Sequence, residues 1–257
     1  MRTLARSYRI AVTIVLAMAV PTVHADPAPT RLRPVVLATL DHDPSAFTEG
    51  LVLDGSSLYE STGLVGRSQL RELDPKTGAL RRAAVLPSDY FGEGIAVVGD
   101  RIWQLTYRNG VAVEWDKTTL TRLREVPLAG EGWGLCHDGA RVIRSDGTAT
   151  LHLHESNDLR ETGSITVTLN GTELRGLNGL DCSAGQIWAN VFPTDQIVQI
   201  DPASGVVLSV VDAGGLLDPQ YRDNIHILNG ITRTDDRQFL ITGKDWPHLF
   251  RVRFDPV

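Results

Sequence analysis

Apolar and polar positions alternate in short runs along most of the chain, and no long stretch of helical period competes with them. Five such runs open alike, with a polar or aromatic residue, a glycine, then Leu or Ile. They are Glu49-Gly50-Leu51, Glu93-Gly94-Ile95, Trp133-Gly134-Leu135, Asn178-Gly179-Leu180 and Asn229-Gly230-Ile231, with glycines 44, 40, 45 and 51 positions apart. A turn follows each copy, then a β-prone run such as Ile102-Trp103-Gln104-Leu105 or Ile187-Trp188-Ala189-Asn190. A third run ends on an acidic turn, as at Leu73-Asp74-Pro75 and Ile200-Asp201-Pro202, and in four copies a fourth apolar run follows.

Four strands per unit at a period of about 40–50 residues predicts an all-β fold, a five-bladed β-propeller. The fifth unit reaches Val257 after three strands, and the orphan run Pro34–Leu40 is expected to complete the last blade and close the ring. Closure pairs strands that would otherwise be exposed edges. The propeller domain is expected over residues 34–257.

The 257 residues suit one large all-β domain or two small ones. A net charge of −6 with scattered basic residues argues against nucleic acid as a partner. Arg2, Arg6 and Arg9 precede the apolar run Ile10–Val20, and Val23-His24-Ala25 offers small residues at a cleavage site. Residues 1–25 therefore read as a signal peptide cleaved before Asp26, with an uncleaved anchor as the alternative, and residues 26–33 as a linker. The expectation is an exported protein, periplasmic or secreted, monomeric, and free of the membrane once cleaved. Export permits a disulfide between the two cysteines, Cys136 and Cys182. Their opposite strand parity means that they either face each other across adjacent blades or both point away.

In a propeller the first strand of each blade lines the central channel. The residue before each repeat glycine, namely Glu49, Glu93, Trp133, Asn178 or Asn229, is thus expected at the channel mouth. The turns between second and third strands return to that end and bring Arg67, Tyr107, Phe192, Lys244 and Trp246. Trp103, Trp115 and Trp188 lie within strands and read as core between blades. His152 and His154 alternate on an outer strand and read as solvated edge residues, with a metal pair as the alternative. Asp41-His42-Asp43 reads as a polar loop or a cation site. A funnel with apolar walls and a few polar groups is the default ligand site.

His42-Asp43-Pro44, Phe47-Thr48-Glu49-Gly50-Leu51, Tyr59-Glu60-Ser61-Thr62-Gly63, Phe91-Gly92-Glu93-Gly94, Glu131-Gly132-Trp133-Gly134-Leu135, Trp188-Ala189-Asn190-Val191 and Thr242-Gly243-Lys244-Asp245-Trp246-Pro247 together resemble the plant and bacterial glutaminyl cyclases. The resemblance implies a five-bladed propeller that cyclises the N-terminal glutamine of peptides or proteins to pyroglutamate with release of ammonia. It implies no cofactor and no zinc. Glu93 matches the essential carboxylate. Trp133, Asn178 and Lys244 match substrate-binding residues, and Phe47 matches an aromatic of the first-blade motif; Glu49, Phe91, Tyr107 and Phe192 complete the expected substrate site.

Three positions depart from the family pattern: Glu49 where Gln is usual, and Tyr107 and Phe192 where Trp is usual. Gly179 also replaces an acidic residue. A second carboxylate beside Glu93 is expected to raise the pKa of one of the two. The competing classes are a non-catalytic peptide-binding propeller and a calcium-dependent lactonase-like propeller, for which Glu49, Glu93, Asn178 and Asn229 would supply ligands.

Overall fold

The computed structural model describes residues 28–221, 226–235 and 237–257. The leader expected over residues 1–25 lies outside them. Strand β1 (Thr30–Asp41) begins earlier than the expected Pro34 and takes in half of the expected linker. The cause is pairing and burial. Thr30 to Leu32 run parallel to a later strand at Ser209 to Val211, and the Leu32 side chain enters the core.

Four-stranded antiparallel units follow in chain order. The first is β2 (Thr48–Asp54), β3 (Ser57–Thr62), β4 (Gln69–Leu73) and β5 (Leu80–Val85). The second is β6 (Gly92–Val98), β7 (Arg101–Thr106), β8 (Val111–Asp116) and β9 (Arg122–Pro127). The third is β10 (Leu135–His137), β11 (Arg141–Arg144), β12 (Thr150–Glu155) and β13 (Glu161–Thr166). A small hairpin, β14 (Thr168–Leu169) and β15 (Thr172–Glu173), turns at Asn170 and Gly171, both at positive φ as a tight hairpin requires. Then come β16 (Leu177–Ser183), β17 (Gln186–Val191), β18 (Gln196–Ile200) and β19 (Val207–Asp212), and last β20 (Leu228–Asp235), β21 (Gln238–Gly243) and β22 (His248–Pro256). Strand β1 pairs antiparallel with β22 and parallel with β19, so the last two groups form one eight-stranded sheet.

The strands β2, β6, β10, β16 and β20 contact one another in succession, and β20 returns to β2. This all-β arrangement is propeller-like. Apolar clusters fill the spaces between successive groups. One packs Ile95, Ile102 and Trp115 against Tyr59 and Leu70. Another packs Leu51, Leu58 and Leu73 against Leu240 and Leu249, joining the first group to the last. Central strands are buried on both faces, whereas β9 is exposed almost throughout. Trp103, Trp115 and Trp188 are buried, as strand residues between packed sheets should be.

The repeat glycines have a steric cause. A Cβ on Gly134 would lie 2.0 Å from the Asn178 carbonyl oxygen, and one on Gly94 would lie 2.5 Å from that of Trp133. Inner strands approach too closely there for any side chain. The same positions interrupt the ladders. Register shifts fall between Thr48 and Gly50, Gly92 and Ile95, Leu177 and Leu180, and Leu228 and Ile231. Each is a bulge, and a bulge re-aims the side chain that it carries. Farther along two inner strands, Cys136 of β10 and Cys182 of β16 form a disulfide with Cα atoms 5.4 Å apart.

Candidate active site

The bulges turn Glu49, Glu93, Asn178 and Asn229 to one end of the inner strands, where all four are buried. Glu49 is the hub. Its carboxylate accepts from Lys244 Nζ at 2.8 Å and from Asn229 Nδ2 at 2.8 Å, and it hydrogen-bonds the carboxyl of Glu93. Asn229 Nδ2 also donates to the Thr48 carbonyl at 3.2 Å, and its Oδ1 accepts from Gly179 N at 3.2 Å. The Asn178 side-chain oxygen is buried with no hydrogen-bond partner.

Above this floor the aromatics form a chain around the rim. Ring centroids are 6.1 Å apart for Phe47 and Phe91, 5.8 Å for Phe91 and Tyr107, 6.4 Å for Tyr107 and Trp133, and 5.5 Å for Trp133 and Phe192. Lys244 closes the circle, its Nζ 4.6 Å from the Phe47 ring centre and 5.6 Å from that of Phe192. A cation against two aromatic faces, with a carboxylate beneath it, is held electrostatically from three sides.

Burial dominates the electrostatics. It pushes Glu93 well above the ordinary carboxylate range, and the charge of Glu49 beside it adds to the effect. Burial also raises Glu49, to about 7, against the opposing pull of Lys244 and Asn229. Two carboxyls in hydrogen-bond contact titrate as a pair. With the ammonium and the amide donors on Glu49, the proton that the pair retains belongs on Glu93.

All nine expected site residues meet here. Trp246 does not: it is buried in the core, and its indole donates to the His226 carbonyl at 3.1 Å. Beneath Gly243 it fills space that a Cβ would occupy, so packing wins over the rim. Among the described residues, the exposed Arg67 side chain reaches only the Ser45 carbonyl, at 3.3 Å. His152 and His154 are not solvated edge residues. His154 is buried and bonds the Leu159 carbonyl, while His152 bridges Asp146 and Glu161 at 3.0 Å each. Among the described residues no group of three or more His, Cys, Asp or Glu is placed to hold a metal ion, neither there nor around Asp41 to Asp43.

A family model described as glutamine cyclotransferase matches residues 9–254. The chain belongs to the glutamine cyclotransferase family. The glutaminyl-peptide cyclotransferase of Arabidopsis thaliana is 36% identical to this cyclotransferase over 225 residues, which cover 85% of this chain and 70% of that protein. The crystal structure of Myxococcus xanthus glutaminyl cyclase matches it with a TM-score of 0.83 and 34% identity, over 89% of this chain and 99% of the other. The cyclotransferase is accordingly an enzyme of glutaminyl cyclase type.

The cyclotransferase rim includes two residues that the repeat pattern did not single out. Glu131 accepts from the Trp133 indole at 3.0 Å and from Arg108 at 2.7 Å, and these bonds hold its carboxyl below the usual range. Arg108 in turn lies 4.4 Å over the Tyr107 ring. The sequence signals of Glu131 are its place two residues before a repeat tryptophan and inside the Glu131-Gly132-Trp133-Gly134-Leu135 motif.

Proposed function

We propose that this enzyme converts an N-terminal glutamine of peptides or proteins into pyroglutamate, without a metal, by proton transfer through Glu93. The observation that carries the reading is the buried Glu93–Glu49 pair with Lys244 on Glu49, ringed by aromatics. The substrate's α-amine attacks its own γ-carboxamide carbon, so nucleophile and electrophile arrive tethered. The enzyme has only to fold the side chain into a reactive geometry and move protons. Phe47, Phe91, Tyr107, Trp133 and Phe192 enclose the methylenes and exclude water. Glu93 gives its proton to the amide nitrogen as the C–N bond to ammonia breaks, and it takes one back from the attacking amine. Glu49, fixed by Lys244 and Asn229, keeps that proton on Glu93 between turnovers. The unpartnered oxygen of Asn178 is an acceptor for the substrate's amine or amide hydrogens. Lys244 offers positive charge as the carbonyl oxygen becomes negative.

The metal-free reading is supported by the donor set, because the carboxylate that a metal would need already holds an ammonium. Five four-stranded groups, the last completed by β1, fit a five-bladed propeller closed by its N-terminal strand. Residues 1–25 are proposed to direct export to the periplasm or medium, and the exported protein is proposed to act as a monomer. Incubation with a Gln-initiated peptide, with and without a chelator, tests the reading. Equal ammonia release in both arms is expected. No release, or release only without chelator, overturns it.

A further inference from the structure

The segment that carries Lys244 is tied to the residues that lead into β2. Asp245 N donates to the Ala46 carbonyl at 2.9 Å, and His42 N donates to that of Pro247 at 3.0 Å. Phe47 and Lys244 form an isolated antiparallel bridge. Inside this seam lies His42, its side chain 1% exposed. Its Nδ1 is 2.7 Å from the Trp246 carbonyl oxygen, and its Nε2 is 2.8 Å from Glu60 Oε1.

The partners fix the protonation of both nitrogens. A carbonyl oxygen only accepts, so Nδ1 carries a hydrogen. Glu60 Oε1 already accepts from Thr48 Oγ1 at 2.7 Å, and its Oε2 lies 3.4 Å from Arg71 Nη1. Burial works against ionisation of Glu60, but the charge and hydrogen bond of His42, the charge of Arg71 and the hydrogen bond from Thr48 outweigh it and hold the carboxyl below its usual range. An ionised Glu60 only accepts, so Nε2 carries a hydrogen as well. The charges facing His42 are Glu60 on β3 and Arg71 on β4, with Asp43 beyond at 2.9 Å from Arg71. The His42 ring thus lies directly against the Glu60 carboxylate, while Arg71 faces the other oxygen of that carboxylate and is shared with the partly exposed Asp43. Burial opposes the imidazolium, yet the Glu60 contact keeps His42 above its ordinary pKa.

We infer that His42 is a positioning residue that works as an imidazolium: clamped between the Trp246 carbonyl and the Glu60 carboxylate, it fixes the Lys244–Trp246 segment so that the Lys244 ammonium stays on Glu49. The same cluster reaches Glu49 from its other side, because Glu60 orients Thr48 and the Thr48 carbonyl accepts from Asn229, which holds Glu49. The inference rests on the cyclase reading only in taking the Glu49–Glu93 pair as the catalytic floor.

Two measurements test it. The first is histidine ¹⁵N–¹H correlation on the labelled protein at about pH 7.5, with His42 picked out from the seven histidines by through-bond assignment. Both of its nitrogens are expected to be protonated, and a neutral tautomer there overturns the inference. The second is the pH profile of kcat/KM on a Gln-initiated peptide for wild type and His42→Gln. An ammonium drawn away from Glu49 leaves the carboxyl pair harder to ionise. The acid limb of the variant is therefore expected to move up by about one pH unit, with about a tenfold loss below it. A folded variant whose limb stays in place overturns the positioning role, and if the variant fails to fold the wild-type spectrum still decides. Absence of wild-type turnover would strike the cyclase reading while leaving the spectrum as evidence on His42.

Discussion

Replacing Glu49 with Gln isolates the electrostatic core of the site. Gln keeps the shape and can still accept from Asn229, but it removes the charge beside Glu93 and the partner of Lys244. Glu49 is raised from 4.5 to about 7 by burial. A carboxyl whose folded pKa exceeds its unfolded value favours the native state most fully at low pH. Its contribution is lost as pH climbs from the unfolded value toward the folded one. For Glu49 the window is 4.5 to about 7, and the fall across it is about 3 kcal/mol. Glu49→Gln abolishes this component. Leaving Lys244 buried without its partner costs about 3–5 kcal/mol, but at both ends of the window, so it cancels in the difference. Urea unfolding at about pH 4.5 and 7.5 measures it: wild type is expected to lose about 3 kcal/mol more stability between the two than the variant does. Without a negative neighbour Glu93 also ionises more easily, and since it acts as the protonated acid, the alkaline limb of the variant's kcat/KM profile is expected to move down. Parallel stability slopes in the two proteins would refute the reasoning, because they would mean that Glu49 titrates at its ordinary value.

Two further predictions concern the frame. The disulfide closes a loop across a sequence separation of 46, so the double variant Cys136→Ser/Cys182→Ser is expected to lose about 4 kcal/mol of stability by denaturant unfolding; a change under about 1 kcal/mol would contradict its role as a cross-link between inner strands. Gly134→Ala places a Cβ 2.0 Å from the Asn178 carbonyl oxygen, so the inner strands must part, at about 3 kcal/mol and with loss of turnover. A variant of wild-type stability and rate would show that the close approach of these strands is dispensable.

The repeat was legible in the sequence because its cause is steric and local. At Gly50, Gly94 and Gly134 the backbone of the next inner strand leaves no room for a Cβ, at Gly179 the Asn190 and Asn229 side chains fill that space, and at Gly230 a positive φ favours glycine; the residue before each glycine points to the mouth. That logic placed Glu49, Glu93, Asn178 and Asn229 together without any knowledge of their contacts. Of the rim aromatics, Trp133, Tyr107 and Phe192 followed from strand direction, whereas Phe47 and Phe91 were expected there from the family resemblance. What escaped was whatever depends on the depth of packing. Trp246 looks like a rim residue in sequence, but it lies among core residues such as Leu228, Ile241 and Phe250. His154 looks like an edge residue, but it is buried against the loop that returns through Leu159. The early start of β1 depends on partners more than 170 residues away, which no local pattern reports. The buried His42–Glu60–Arg71 group was invisible for the same reason, since its members are assembled from a loop and two strands.

In the proposed mechanism one buried acid at the mouth, Glu93, handles the protons of ring closure. Single-turnover ammonia release from a Gln-initiated peptide, compared between wild type and Glu93→Gln, tests it most directly. A loss of about 10²–10⁴-fold with cooperative unfolding retained is the expected result. A variant that folds and releases ammonia within about tenfold of wild type would contradict the claim and move the chemistry to another group.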